Sequence, residues 1–87
     1  MKTIWKYTLK SEITISMPED AQILSVHEQH GEAQLWALVD PDAPKENIFF
    51  KCYGTGHKVK DYPGQFIGTF FLNDFGLVFH VFKEEGI

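Results

Sequence analysis

Apolar and polar residues alternate with a period of two along several short stretches of this chain, and no other feature limits the fold as strongly. The clearest stretch is 12–17, where Ile13, Ile15 and Met17 alternate with polar residues. Successive side chains of a strand point to opposite faces, whereas a helix repeats every three to four residues. No segment shows a sustained helical repeat, so the sequence predicts strands and turns with little or no helix.

Seven segments fit this pattern: 3–9, 12–17, 22–29, 32–39, 48–53, 65–72 and 77–82. Turn-forming residues lie between them, including His30-Gly31, the DPDAP stretch at 40–44 and the NDFG stretch at 73–76. A longer connection, GTGHKVKDYPG, occupies 54–64. The sequence therefore predicts a single all-β domain over 1–87, a compact antiparallel sandwich or small barrel of about seven strands.

The last hairpin is apolar on both of its faces. In its first strand the alternation places Phe66, Phe70 and Leu72 on one face and Ile67 and Phe71 on the other. A strand that is apolar on both faces either lies in the centre of the fold with both faces packed, or contributes to a surface that another chain covers. Packing both faces is difficult in a chain this short, and so we expect a homo-oligomer. The two tryptophans and most of the eight Phe are expected in the core.

Charge and composition exclude several classes of protein. The net charge of −4, with seven acids and no base in 11–42, argues against binding to long nucleic acid. No run of eighteen apolar residues is present, and so we expect a soluble cytosolic protein without a membrane segment. The single cysteine excludes an intramolecular disulfide and fits a reducing compartment.

The stretch CYGTGHK, 52–58, resembles catalytic machinery at first sight, but its spacing fits none of the established motifs. A phosphate-binding P-loop separates its glycines by four residues, whereas one residue separates Gly54 from Gly56. Cys52 lies in an apolar strand and is expected to be a small core residue rather than a nucleophile activated by His57. The His27-x-x-His30 pair has no partner cluster for a metal. The sequence therefore predicts no enzyme activity, no cofactor and no metal.

The same loop could nevertheless hold a small anion. Its glycines permit sharp backbone turns that present N–H groups, and lysines and a threonine hydroxyl lie nearby. Tyrosines on either side could stack on a nucleotide base. In the alternative interpretation the glycines only end the strand and the lysines are solvated. The candidate ligand-binding residues are Tyr53, Gly54, Thr55, Gly56, His57, Lys58, Lys60 and Tyr62.

Five stretches carry a family resemblance: MKTIWKY, ILSVHEQHGEAQLWALVDP, YGTGH, GQFIGTFF and LVFHVF. In that order, and along nearly the whole chain, they resemble a family of small proteins of tailed bacteriophages and prophages that is classed as a domain of unknown function. The resemblance implies a phage or prophage origin and a location in the cytoplasm of the infected bacterial host. It supplies no catalytic residues.

Together these features favour a non-enzymatic phage accessory protein, and they leave its ligand open. The first hypothesis is a host-defence antagonist that sequesters a small nucleotide-derived anion at the 54–60 loop. The alternative is a protein-interaction module that inhibits a host protein through its Phe-rich C-terminal hairpin and the acidic stretch 11–42. A structural virion or assembly component comes third, and a hydrolase last.

Overall fold

The described part of the chain folds into seven strands. The computed structural model describes residues 1–72 and 76–84. The strands are β1 (Thr3–Thr8), β2 (Glu12–Pro18), β3 (Gln22–Gln29), β4 (Glu32–Val39), β5 (Lys45–Gly54), β6 (Gln65–Leu72) and β7 (Leu77–Lys83). Within these described ranges no helix is long and apolar enough to span a bilayer. The prediction of an all-β chain of seven strands is confirmed.

The strands form two antiparallel sheets, one with the order β1-β4-β3 and the other with the order β2-β5-β7-β6. The molecule measures 39 × 32 × 15 Å between its outermost Cα atoms. That thinnest dimension accommodates two layers, because packed sheets lie about 10 Å apart. Of the two predicted architectures the sandwich is right, and the closed barrel is wrong.

The core lies between the two sheets and is built from the alternating apolar residues. On β2, Ile13, Ile15 and Met17 face inward as their spacing predicts. Phe50 at the centre of β5 is fully buried. The other buried apolar residues of this core are Leu9, Val26, Leu35, Ala37, Val39, Ile48, Phe70 and Val81.

The turn between β3 and β4 has the backbone conformation that its sequence predicts. His30 and Gly31 both have positive φ, 56° and 82°. Gln29 at the end of β3 pairs with Glu32 at the start of β4, so only these two residues form the turn. A two-residue turn with positive φ at both positions has a twist that matches the twist of the flanking strands. The Gly31 N–H donates a 2.7 Å hydrogen bond to the Glu28 carboxylate, which holds the turn in place. Residues 73–75 of the predicted NDFG turn lie outside the described residues.

A bulge in β6 and the position of Trp36 depart from the predictions made from the sequence. The pairing of β6 with β7 shifts between Phe66 and Gly68, so Phe66 lies on the outer face with Phe71 rather than with Phe70. On β4, Trp36 also lies on the outer face, where it is half-buried beside His27. The grouping of Phe66 with Phe70 on one face and the placement of Trp36 in the core are therefore wrong. The prediction that most of the Phe residues lie in the core is also wrong, because four of them lie on outer faces: Phe49, Phe66, Phe71 and Phe82.

Candidate binding surfaces

Three neighbouring strands, β5, β7 and β6, bring an aromatic row to the outer face of the four-stranded sheet. Lys51 of β5 lies opposite Phe82 of β7, which in turn lies opposite Phe66 of β6. Further along the sheet Val78 lies opposite Phe71. Cross-strand neighbours of this kind share a face of the sheet, and so their side chains form one surface.

We call the outward residues Phe66, Phe71, Val78 and Phe82 the hairpin surface. Its two β6 members are the most open, with Phe66 exposed by 55% and Phe71 by 58%. The rings of Phe66 and Phe82 meet edge to face with their centroids 5.5 Å apart. An exposed cluster of large aromatic side chains is typical of a surface that contacts another molecule.

Tyr53 lies on the same outer face, beside the hairpin surface, and is not open to a ligand. It is only 6% exposed, and its ring meets Phe82 edge to face at 5.7 Å. The Lys51 ammonium lies 5.3 Å from the centre of the same ring. No described residue hydrogen-bonds its buried hydroxyl. The tyrosine that could stack on a base without rearrangement is Tyr62, which is 91% exposed.

His80 holds the start of the 54–64 connection against the sheet. Its Nε2 lies 2.8 Å from the Thr55 hydroxyl and its Nδ1 lies 2.9 Å from the Thr69 hydroxyl. A hydroxyl both donates and accepts, so each can complement either ring nitrogen. Both ring nitrogens of His80 therefore have a hydrogen-bond partner. It joins three separate segments of the chain.

The far end of the connection is fixed to the end of β7. Lys60 forms an ion pair with Glu84, and the Gly64 backbone lies tightly against Lys83. An open cleft of about 540 Å³ lies here, lined by Lys60, Asp61, Tyr62, Pro63, Gly64, Gln65 and Glu84. The cleft therefore carries two carboxylates beside its lysine.

The predicted ligand-binding residues do not converge on one point. Lys60 and Tyr62 line the 540 Å³ cleft. Gly54, Thr55 and His57 line a separate cavity of about 300 Å³ with Gly76 and Leu77 to Phe79. Gly56 and Lys58 are exposed, and Tyr53 is buried against Phe82 on the outer face of the sheet. The structure thus divides the eight residues between two depressions, a buried ring and an exposed loop tip.

Cys52 has the environment of an unreactive thiol. It is half-buried, and its Sγ lies 3.5 Å from the Lys10 carbonyl oxygen. Burial raises the pKa of the thiol to about 11. A thiol with such a pKa stays protonated at neutral pH, and nucleophilic cysteines require the thiolate.

The aromatic residues on the outer face are functional candidates, and simple alternation placed only some of them on that face. Phe66 was assigned to the other face because a bulge cannot be recognised from alternation alone. A signal was present, since Gly68 interrupts an apolar strand and isolated strand glycines often mark bulges. Among residues 1–72 and 76–84, no three His, Cys, Asp or Glu side chains are grouped to hold a metal.

Comparison with known proteins gives one match. No curated protein and no solved structure matches this chain. One family model matches residues 1–86, nearly the whole chain. The chain therefore belongs to the family described as Domain of unknown function (DUF7352).

Proposed function

We propose that this chain is a phage accessory protein that acts by binding a protein of the bacterial host through the hairpin surface. The phage assignment rests on the resemblance of its motifs to phage and prophage proteins. The observation that supports protein binding is the exposure of Phe66 and Phe71 on an ordered strand. Aromatic side chains held on rigid elements lose little entropy on association and often dominate the binding energy.

Charge favours a host protein over a second copy of this chain as the occupant. The chain carries a net charge of −4, and two copies would bring like charge together. Lys51, which lies opposite Phe82, is already paired with Glu12, and Lys60 is paired with Glu84. A partner with an apolar pocket and a basic rim would complement both the Phe side chains and the acidic body.

The test replaces Phe66 and Phe71 together by Ser. The control replaces Ile4 and Leu24, which are 55% and 45% exposed, by Ser on the other sheet. A host protein captured by the tagged wild-type chain is purified, and its affinity for each variant is measured by calorimetry. We expect the Phe variant to bind at least about tenfold more weakly, since each buried aromatic contributes over about 1 kcal/mol, and the control to bind normally.

Two results would count against this function. Equal loss of affinity in both variants would show that the contact is not specific to the hairpin surface. A wild-type dimer in light scattering that dissociates only in the Phe variant would assign the surface to a second copy instead.

The second candidate function is sequestration of a small nucleotide-derived anion at the 540 Å³ cleft. One observation favours it: the exposed ring of Tyr62 and the ammonium of Lys60 line the same cleft. Base stacking on such a ring and attraction between ammonium and phosphate would act together. We place it second because Glu84 already pairs with Lys60 and Asp61 adds a further negative charge to the cleft.

Thermal unfolding with a panel of cyclic and linear nucleotides tests this candidate. A ligand at one hundred times its Kd adds about 2.7 kcal/mol, which raises the unfolding midpoint by roughly 10 °C or more. Replacing Lys58 and Lys60 by Ala should abolish the rise. The matched control, Lys2→Ala with Lys10→Ala, removes the same charge elsewhere and should keep it. A panel without any shift in the wild-type chain would contradict sequestration of these nucleotides.

A further inference from the structure

A third depression opens between the two sheets at one end of the sandwich. It measures about 310 Å³. The β1–β2 corner and the β3–β4 turn bound its mouth, with Lys10, Ser11 and Glu32 at the edge. Its location is distinct from the hairpin surface, which is on the outer face of one sheet, and from the 540 Å³ cleft beside the end of β7.

The walls of this depression are core side chains. Leu9 and Phe70, which are buried residues of the core, line it. Phe70 stacks on Phe79 with ring centroids 5.5 Å apart, and Phe79 forms the adjoining wall. Ala33 and Leu72 complete the apolar lining. These walls belong to both sheets, so the occupant must be small enough to enter between the sheets.

Cys52 supplies the one sulfur atom of the lining. Its thiol donates a hydrogen bond to the Lys10 carbonyl oxygen, with Sγ and oxygen 3.5 Å apart. A protonated thiol behaves as a small, polarisable apolar group. Among the residues that the structure describes, the interior lining is uncharged, and the charged residues Lys10 and Glu32 lie at the mouth.

We propose that this interlayer cavity binds a small, mainly apolar, uncharged molecule. A cavity of about 150 Å³ lined by aliphatic and aromatic side chains accepts benzene, and ligand sites begin near about 300 Å³. A volume of about 310 Å³ therefore suits a molecule of two fused rings or a short aliphatic chain. A polar substituent would lie at the mouth near Ser11 and Glu32. This inference does not depend on either proposed function.

Indole serves as the probe, and two measurements follow its binding to the full chain. At ten times its Kd, indole should raise the thermal unfolding midpoint by about 5 to 10 °C. It should also slow alkylation of Cys52 about tenfold at the same concentration, because an occupied cavity excludes the reagent from the thiol. Cys52 is the single cysteine, so the labelling reports this site alone.

Two variants locate the probe. Ala33→Leu extends a side chain into the cavity and should remove both effects of indole. Phe71→Ser removes an exposed ring from the hairpin surface and should leave both unchanged. If Ala33→Leu fails to fold, Cys52→Met serves instead, because its side chain fills the cavity from the β5 side. This variant has no thiol to label, so only the effect of indole on its unfolding midpoint is measured. The proposal is overturned if wild-type protein shows neither effect, if the filled variant retains them, or if Phe71→Ser loses them.

Discussion

Gly68 of β6 lies directly against β3 of the other sheet. A Cβ at this position would lie 2.8 Å from Cγ2 of Val26, a buried β3 side chain. A methyl group cannot be accommodated at that distance unless β3 and β6 move apart. Glycine is therefore required here by packing rather than by backbone conformation.

We predict that Gly68→Ala lowers the free energy of unfolding by about 1 to 3 kcal/mol, the usual cost of overpacking a core. Urea unfolding measures it. Val26→Ala leaves a small cavity that the methyl group added by Gly68→Ala could occupy, so the double variant should be less destabilised than the sum of the singles by at least about 0.5 kcal/mol. Strict additivity would show that the two positions do not touch.

Cys52 gives a second prediction at this scale. Since burial raises its pKa from 9.0 to about 11, the folded chain holds about a hundredfold less thiolate at pH 8 than the unfolded chain. Iodoacetamide labelling should therefore be slow in buffer and fast in concentrated urea. The folded rate should keep rising up to about pH 11, whereas the rate of an ordinary thiol levels off at about pH 10. Equal rates in buffer and urea at pH 8 would contradict a buried thiol.

Among the elements, the strands were predictable and their bulges were not. Three strands have the predicted bounds, β3, β4 and β6, because turn residues and alternation coincide at their ends. Within β3 and β6, however, pairing shifts at Leu24 and Ile67. A bulge exchanges the two faces for every residue beyond it, and whether it forms depends on the partner strand. The location of Phe66 on the hairpin surface could therefore not be predicted from alternation.

The binding residues were harder to predict than the strands because a long connection has no periodicity. Sequence proximity grouped the residues from Tyr53 to Tyr62 into one site. In the structure the connection leads from the Thr55 contact with His80 to the Lys60 contact with Glu84, so its two ends lie in different depressions. The course of this connection is determined by contacts between residues far apart in the sequence, and a local motif does not reveal those contacts.

Gly64 fixes the far end of this connection. Its φ is +99°, and a Cβ there would overlap the backbone carbonyl oxygen of Lys83. We predict that Gly64→Ala displaces the connection and speeds amide hydrogen exchange across 55–64. Gly56→Ala is the matched control, because Gly56 also has positive φ, +87°, but no neighbour within 4 Å of its Cβ. Similar exchange in the two variants would attribute the effect to backbone strain alone.

At the scale of the whole molecule, the two sheets share one core and should unfold together. Leu35 and Val39 of the three-stranded sheet and Phe50 and Val81 of the four-stranded sheet belong to the same buried cluster. If the two sheets separated, the buried apolar residues of both sheets would be exposed to water. A single cooperative transition is the usual behaviour of a domain of this kind.

The chain provides a separate probe for each sheet. Trp5 and Trp36 lie in β1 and β4, and Cys52 lies in β5. We predict that tryptophan fluorescence and pulse alkylation of Cys52 give the same urea midpoint, and that Ile48→Val in β5 lowers both equally. Loss of one buried methylene costs about 0.5 to 1.5 kcal/mol, which at an m-value of about 1 kcal/mol/M is a shift of about 0.5 to 1.5 M. A tryptophan midpoint unmoved by Ile48→Val would mean that the three-stranded sheet unfolds on its own and that 1–87 is not one cooperative domain.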